Sequence, residues 1–271
     1  MPEYGYFLSC EEFAPDDLIE QARTAEQAGF RSLWISDHYH PWNDAQGQSP
    51  FVRSVIGTLS EAVSLPVETA VTCATMTGGR FRLGVGSGEA LNEHILGGPW
   101  PPTSVRLEML EEAIQVMRRL FSGEEVSHDG PHYRVENARL HTVPDESLVS
   151  PFLKAGGAGK TISGGTKVCY GTDRDEAVRT ARRLWFNELL PGETAQTLPS
   201  PRHFEQLEPL VTERMVRDNV VCGDDVDAHL AALNAFAEAG FDRTYVTQIG
   251  PDQRGFFDFY RTKVLPQLPL D

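Results

Sequence analysis

A (β/α)8 TIM barrel, in the α/β class, is the fold this sequence predicts, and three observations carry it. Short apolar runs without a polar face recur along the chain, amphipathic helices separate them, and one helix-glycine-strand junction occurs twice. Residues 4–9 read as the first strand. Pro15–Ala28 follows as a helix, with proline at its start, Asp16 and Asp17 in its first turn and Gly29 as its stop. In 32–36 the consecutive Leu33, Trp34 and Ile35 mark a strand buried on both faces, as in a parallel sheet. Runs 67–73, 82–85, 148–150, 167–170 and 244–248 are of the same kind, which makes seven strands. Helix 104–121 sets Leu107, Leu110, Ile114, Met117 and Phe121 on one face, and 173–190, 202–217 and 226–239 behave similarly. The junction Ala28-Gly29-Phe30-x-x-x-Trp34-Ile35 returns as Ala239-Gly240-Phe241-x-x-x-Tyr245-Val246, which supports repeated αβ geometry.

Seven strands are one short of a closed barrel, and two junctions explain the deficit. Between 67–73 and 82–85 stands little more than Ala74-Thr-Met-Thr-Gly-Gly-Arg80, whereas a parallel crossover needs about a dozen residues. Strand 148–150 likewise runs straight into Pro151-Phe-Leu-Lys-Ala-Gly-Gly. Segments of the full barrel are therefore expected to be missing near residues 76/77 and 150/151, because a truly shortened barrel would leave open sheet edges. Residues 1–271 read as a single barrel domain.

Composition narrows the function. The chain has 24 Lys and Arg against 39 Asp and Glu, a net charge of −15, so it lacks the basic surface that phosphate backbones require. Nucleic acid is not an expected partner. No apolar run approaches the length of a membrane helix, and the start lacks a secretory signal, so a cytoplasmic protein is expected. Cys10, Cys73, Cys169 and Cys222 are far apart without a CxxC pair and read as reduced, structural thiols.

Barrel ligands bind where the strands end at their C-termini, and two stretches stand out there. Ser36-Asp37-His38-Tyr39-His40-Pro41-Trp42 gathers a carboxylate, two imidazoles and two aromatics. His38 suits a general base, with Asp37 to orient it or meet a cofactor. Leu83-Gly-Val-Gly-Ser-Gly88-Glu89-Ala-Leu-Asn92-Glu93 offers glycines that let a flat ring or a phosphate approach the backbone, with Glu89 and Asn92 beside them. Three other motifs fail. Gly84-Val-Gly86-Ser-Gly88 brings its third glycine one residue early for a dinucleotide fingerprint. Gly157-Ala-Gly159-Lys160-Thr161 breaks P-loop spacing because Lys154 stands where the first glycine belongs. His38-x-His40 would open a metal site only with more ligands at later strand ends, so no metal is expected.

These residues resemble a family: the luciferase-like flavin and deazaflavin oxidoreductases, in the branch of the coenzyme F420-dependent glucose-6-phosphate dehydrogenase. The matching stretches are Phe13-Ala-Pro, Ser36-Asp-His-Tyr-His-Pro-Trp42, Arg80-Phe-x-Leu-Gly-Val-Gly-Ser-Gly-Glu-Ala-Leu-Asn-Glu93, Asp129-Gly-x-x-Tyr133, Val143-Pro-Asp145 and Gly250-Pro-Asp-Gln253. The resemblance spans nearly the whole chain. It implies a luciferase-like (β/α)8 barrel, a homodimer, and hydride transfer between an alcohol carbon and C5 of the deazaflavin F420. By motif position His38 would be the base, Trp42 would stack beside the forming carbonyl, and Glu89 would carry the proton on the ring's other side. Asp37, Ser87, Gly88 and Asn92 would hold the cofactor. A cis peptide of the family maps onto Ala70-Val71 as a support for the ring, with Cys73 facing the cofactor.

The substrate departs from the family's name. Of its phosphate-holding cations one falls in a segment missing here and the other two map near Ala195 and Asp218, neither of them cationic, so an unphosphorylated sugar, an alcohol or a ketone is expected. The rival expectations are an FMN-dependent monooxygenase of the same superfamily, a metal-dependent barrel hydrolase on His38 and His40, and a deazaflavin-binding protein without turnover.

Overall fold

The structure, a computed structural model, describes residues 2–63, 67–68, 81–141 and 161–269. The first half of the chain runs β1 (Glu3–Leu8), α1 (Pro15–Ala28), β2 (Leu33–Ile35), α2 (Val52–Ala62), β3 (Val67–Glu68), β4 (Phe81–Arg82), α3 (Ala90–Glu93), α4 (Thr103–Phe121), β5 (Val126–Asp129) and β6 (Arg134–Ala138). The second half runs β7 (Ser163–Cys169), α5 (Arg174–Trp185), α6 (Thr194–Thr197), α7 (Pro201–Glu205), α8 (Glu213–Asn219), β8 (Val221–Cys222), α9 (Val226–Glu238), β9 (Arg243–Gln248) and α10 (Gln253–Phe259). Seven strands form one parallel sheet in the order β4-β3-β2-β1-β9-β7-β8, while β5 and β6 make a separate antiparallel hairpin. First and last strands meet as neighbours, with Glu3 opposite Arg243 and Tyr6 opposite both Leu33 and Val246. That closure between chain ends, with helices between parallel strands, is the wall of a (β/α)8 barrel.

Strand alternation separates an outer core from an inner layer. Tyr4, Tyr6 and Leu8 are fully buried, and the Tyr6 ring meets Phe30, Phe256 and Phe257 at 4.8–5.8 Å, joining β1 to α1 and α10. Its hydroxyl donates to Gln253 Oε1 at 2.7 Å. The inner layer carries Phe7, Trp34 and Tyr245, with Trp34 edge-on to Tyr245 at 5.1 Å. Gly5 is required here, because a Cβ would stand 2.4 Å from the Tyr245 ring. These rings, with Thr166, Lys167 and Thr247, line a lumen cavity of about 480 Å³. A second apolar cluster holds α5, α7 and α8 through Trp185, Phe186, Phe204 and Val216.

Several expected elements change. Strand 82–85 shortens to β4 at Phe81–Arg82, and the glycine-rich residues that follow carry no regular structure. Helix 202–217 is broken, because Pro209 lacks the N–H a continuous helix needs; α7, a 3-10 turn over Glu208–Leu210 and α8 replace it. Helix α4 buries Arg106, Glu112 and Val116, while Leu107, expected on its apolar face, is exposed. Helix α2, the β5-β6 hairpin and β8 were not anticipated. Strand 148–150, both short junctions, and Ala70, Val71 and Cys73 lie outside the described residues.

Candidate active site

Two consecutive carboxylates leave the end of β1 in opposite directions. The turn is set by Glu12 and Phe13, whose N–H groups both point to the Ser9 carbonyl at 3.3 Å. Since β1 lies between β2 and β9 in the sheet, each side chain meets a different neighbour. Glu11 turns to β2. Its Oε2 accepts the Ser9 hydroxyl at 2.8 Å and the Ser36 hydroxyl at 2.7 Å, and its Oε1 stands 3.3 Å from His38 Nε2. Ser36 Oγ in turn accepts the Cys10 N–H at 3.0 Å, so the Glu11 side chain is fixed at 3% exposure. Glu12 turns to β9, accepting Trp185 Nε1–H at 2.7 Å and the Gly250 N–H at 2.6 Å. Burial pushes the Glu12 carboxyl up to about 7, the Trp185 and Gly250 bonds opposing the rise and Glu11 adding to it.

The His38 tautomer follows from its neighbours. Asn92 Oδ1 accepts the Tyr39 and His40 N–H groups at 2.9 and 3.1 Å, which fixes the amide and aims its NH2 at His38 Nδ1, 3.1 Å away. An NH2 only donates, so Nδ1 accepts and Nε2 carries the proton toward Glu11. The same Asn92 nitrogen lies 3.5 Å from Glu89 Oε2. Asn92 therefore brings together His38, from the end of β2, and Glu89, which begins α3 after β4. Trp42 closes the group, its ring 5.2 Å from the imidazole and edge-on to Phe204. Asn43 and Gln46 fasten this rim loop to α5 by donating to the Leu184 carbonyl.

Other sequence candidates fall elsewhere. Asp37 is exposed and 4.0 Å from Arg53, outside the His38 network. Ser87 and Gly88 line a cleft of about 380 Å³ with His94, Trp100, Arg106 and Tyr133. His40 stacks on His94 at 6.1 Å, and burial, then His94, push its pKa down. His38 and His40 thus enter different networks. Burial raises the thiols of Cys10 and Cys169 and takes Cys222 to about 11, so all three stay protonated and inert. Hairpin β5-β6 is stapled to α4 by Glu112, which binds His128 Nε2 at 2.7 Å and accepts the His132 and Tyr133 N–H groups, each at 3.1 Å. Glu11, Glu12 and Trp185 were missed by sequence reasoning; the pair of glutamates directly after the first strand was the available signal.

Comparison with known proteins agrees with the fold and the motifs. A family model described as luciferase-like monooxygenase matches residues 3–171. F420-dependent glucose-6-phosphate dehydrogenases of Beutenbergia cavernae and Nocardia farcinica are 29% and 27% identical, covering 99% and 98% of this chain and 98% of each relative. An alignment of 330 positions against a chain of 271 residues leaves stretches of the relative without a counterpart, as the two short junctions require. Among solved structures, an F420-dependent secondary alcohol dehydrogenase in complex with an F420-acetone adduct superposes with a TM-score of 0.87 at 24% identity, covering 99% and 100% of the two chains. A coenzyme F420-dependent tetrahydromethanopterin reductase from Methanopyrus kandleri gives 0.70 at 15% identity, with 99% of each chain covered. These two structures speak for the barrel fold. No described helix is long and apolar enough to cross a membrane.

Proposed function

The chain belongs to the family of luciferase-like monooxygenases, and from that premise we propose that it is a coenzyme F420-dependent oxidoreductase of alcohol or ketone carbons. The observation that carries this reading is the His38–Asn92–Glu89 network at the barrel rim, beside a glycine loop left open. The residues fit the group. A Cβ at Gly84 or Gly86 would meet nothing within 4 Å, so the loop leaves room for a flat ring or a phosphate, and Ser87, Gly88, Asn92 and Asp37 supply polar contacts around it. Ala70, Val71 and Cys73 belong to the same proposal. When bound, the deazaflavin supplies the hydride acceptor, or the donor in the reverse direction, at C5.

The chain's own groups handle the protons. His38 takes the substrate hydroxyl proton at Nδ1, while Glu11 keeps the other proton on Nε2. The substrate hydroxyl replaces the Asn92 amide at Nδ1, and that amide retains Glu89 as a partner. Trp42 covers the imidazole and excludes water, and Glu89 is the second proton carrier.

For the substrate we propose an unphosphorylated sugar, an alcohol or a ketone. Ala195 packs against the second apolar cluster, and Asp218 pairs with Arg214 at 3.7 Å, so neither position offers a cation to a phosphate dianion. The related secondary alcohol dehydrogenase structure holds an acetone adduct. A homodimer and a cytoplasmic location are part of the same reading, the first checked by light scattering.

The deciding experiment mixes the protein with coenzyme F420 and a panel of isopropanol, glucose and glucose 6-phosphate, following loss of the deazaflavin's absorbance. Turnover with a neutral alcohol or sugar supports the proposal. A strong preference for glucose 6-phosphate rejects the substrate class, and binding of FMN with no deazaflavin turnover rejects the cofactor.

A further inference from the structure

Resting on that reading, we propose that Glu12 is a positioning residue: by holding Trp185 and the Gly250 turn, it sets the β1 exit from which Glu11 reaches His38. The proposal follows from adjacency. Glu11 and Glu12 are consecutive in one tight turn, so the direction taken by one carboxylate constrains the other. Glu12 anchors that turn twice on the β9 side, at 2.7 Å to the Trp185 indole and 2.6 Å to the Gly250 amide. Both anchors are stiff. Trp185 is buried in the second apolar cluster with its ring 4.2 Å from the Lys167 ammonium, which pairs with Glu188. Gly250 sits at φ +89° with its carbonyl accepting Gln253 Nε2–H at 2.9 Å.

The tie depends on the charge of Glu12. Both its partners are N–H donors, so both oxygens must accept. A protonated carboxyl turns one oxygen into a donor facing another donor, and one of the two bonds is lost. The groups that face Glu12 are Glu11 from its own turn, Tyr6 from β1, Cys169 from β7 and Arg183 from α5. Of these, Glu11 raises the Glu12 carboxyl and Arg183 lowers it, so their effects oppose one another. With Glu12 titrating at about 7, the tie is complete above that pH and slackens below it.

Glu12→Gln tests this, because its NH2 faces one of the two donors at every pH. Three measurements are compared with wild type: the pH course of Trp185 emission in the cofactor-free protein, the NMR resonances of the His38 imidazole at pH 8, and kcat/KM against pH. Trp185→Phe and His38→Ala identify the two signals. Wild type is expected to show a Trp185 emission transition with a midpoint near 7, lost in Glu12→Gln, whose His38 resonances are displaced and whose kcat/KM at pH 8 is lowered by about three- to tenfold. Unchanged His38 resonances in Glu12→Gln overturn the proposal, since Glu12 would then fasten only α5 and β9. If Glu12→Gln fails to fold, the wild-type protein still decides: no Trp185 emission transition near 7 overturns it. The two cofactor-free signals are independent of F420, so their presence without deazaflavin turnover would reject the functional reading and leave the role of Glu12 standing.

Discussion

The rim after β1 and β2 and the rim after β4 are built on opposite terms. In the first, polar side chains are paired with one another: Glu11 with Ser9, Ser36 and His38, and His38 with Asn92. In the second, glycines 84 and 86 stand open, and the nearby buried donors Arg106 Nε and Trp100 Nε1 have no hydrogen-bond partner among the described residues. Arg106 instead stacks on Trp100 at 4.2 Å and donates to Thr103 and Gln196. A closed polar network fixes a base in one orientation at low reorganisation cost, whereas an open backbone accepts a ligand. Paired side chains and open backbone are thus separated along the rim, and Asn92 joins them.

That division predicts which changes abolish turnover and which weaken binding. On the proposed function, His38→Ala removes the base and is expected to lower kcat by about 10²–10⁴-fold while leaving the deazaflavin's dissociation constant nearly unchanged. Stopped-flow bleaching and a fluorescence titration measure the two quantities. A large loss of cofactor binding in this variant would break the separation. Asn92→Ala reaches both sides, since it frees Nδ1 and removes a neighbour of Glu89; a loss of about 10–100-fold in kcat/KM is expected, with both parameters moving.

What the sequence revealed follows the same division. His38, Trp42, Glu89 and Asn92, which the structure brings together, could be picked out because they sit in short segments at predicted strand ends, where local order along the chain already implies a rim position. Glu11 was not, because its importance comes from β1 lying against β2, a contact between residues 25 positions apart in the Glu11–Ser36 bond. Glu12 was hidden further still: its partners lie 173 and 238 positions away. The fold was readable from alternating strands and helices, and even its two short junctions were. The break at Pro209 and the exposure of Leu107 were missed for a different reason. Periodicity registers apolar spacing, and α4 buries a charged arginine and glutamate that no apolar pattern announces.

Glu12 sharpens the comparison from the closed side. Its folded value of about 7 lies above the ordinary 4.5, so the folded state holds the proton more tightly than the unfolded chain. Its contribution is therefore present at low pH and is lost as pH rises from 4.5 through 7, by at most about 3 kcal/mol. Urea unfolding at pH 5.5 and 8 is expected to show a smaller difference between the two pH values in Glu12→Gln than in wild type. Equal pH dependence in the two proteins would mean the carboxyl ionises freely in the fold.

The smallest effect distinguishes two glycines of the open loop. Gly88 sits at φ +73°, and a Cβ there would come within 3.0 Å of Glu93 Oε1. Gly88→Ala therefore strains the backbone and is expected to cost about 1–2 kcal/mol in the cofactor-free protein. At Gly86 a Cβ would meet nothing within 4 Å. Gly86→Ala should unfold within about 1 kcal/mol of wild type, the ordinary helix- and loop-independent cost of exchanging glycine for alanine being small and of either sign. Its deficit should instead show as weaker deazaflavin binding, because the new methyl occupies space the loop leaves for a ligand. If Gly86→Ala binds the deazaflavin as tightly as wild type, the open backbone is not where the ring or its phosphate lies, and binding has to be sought nearer Asp37.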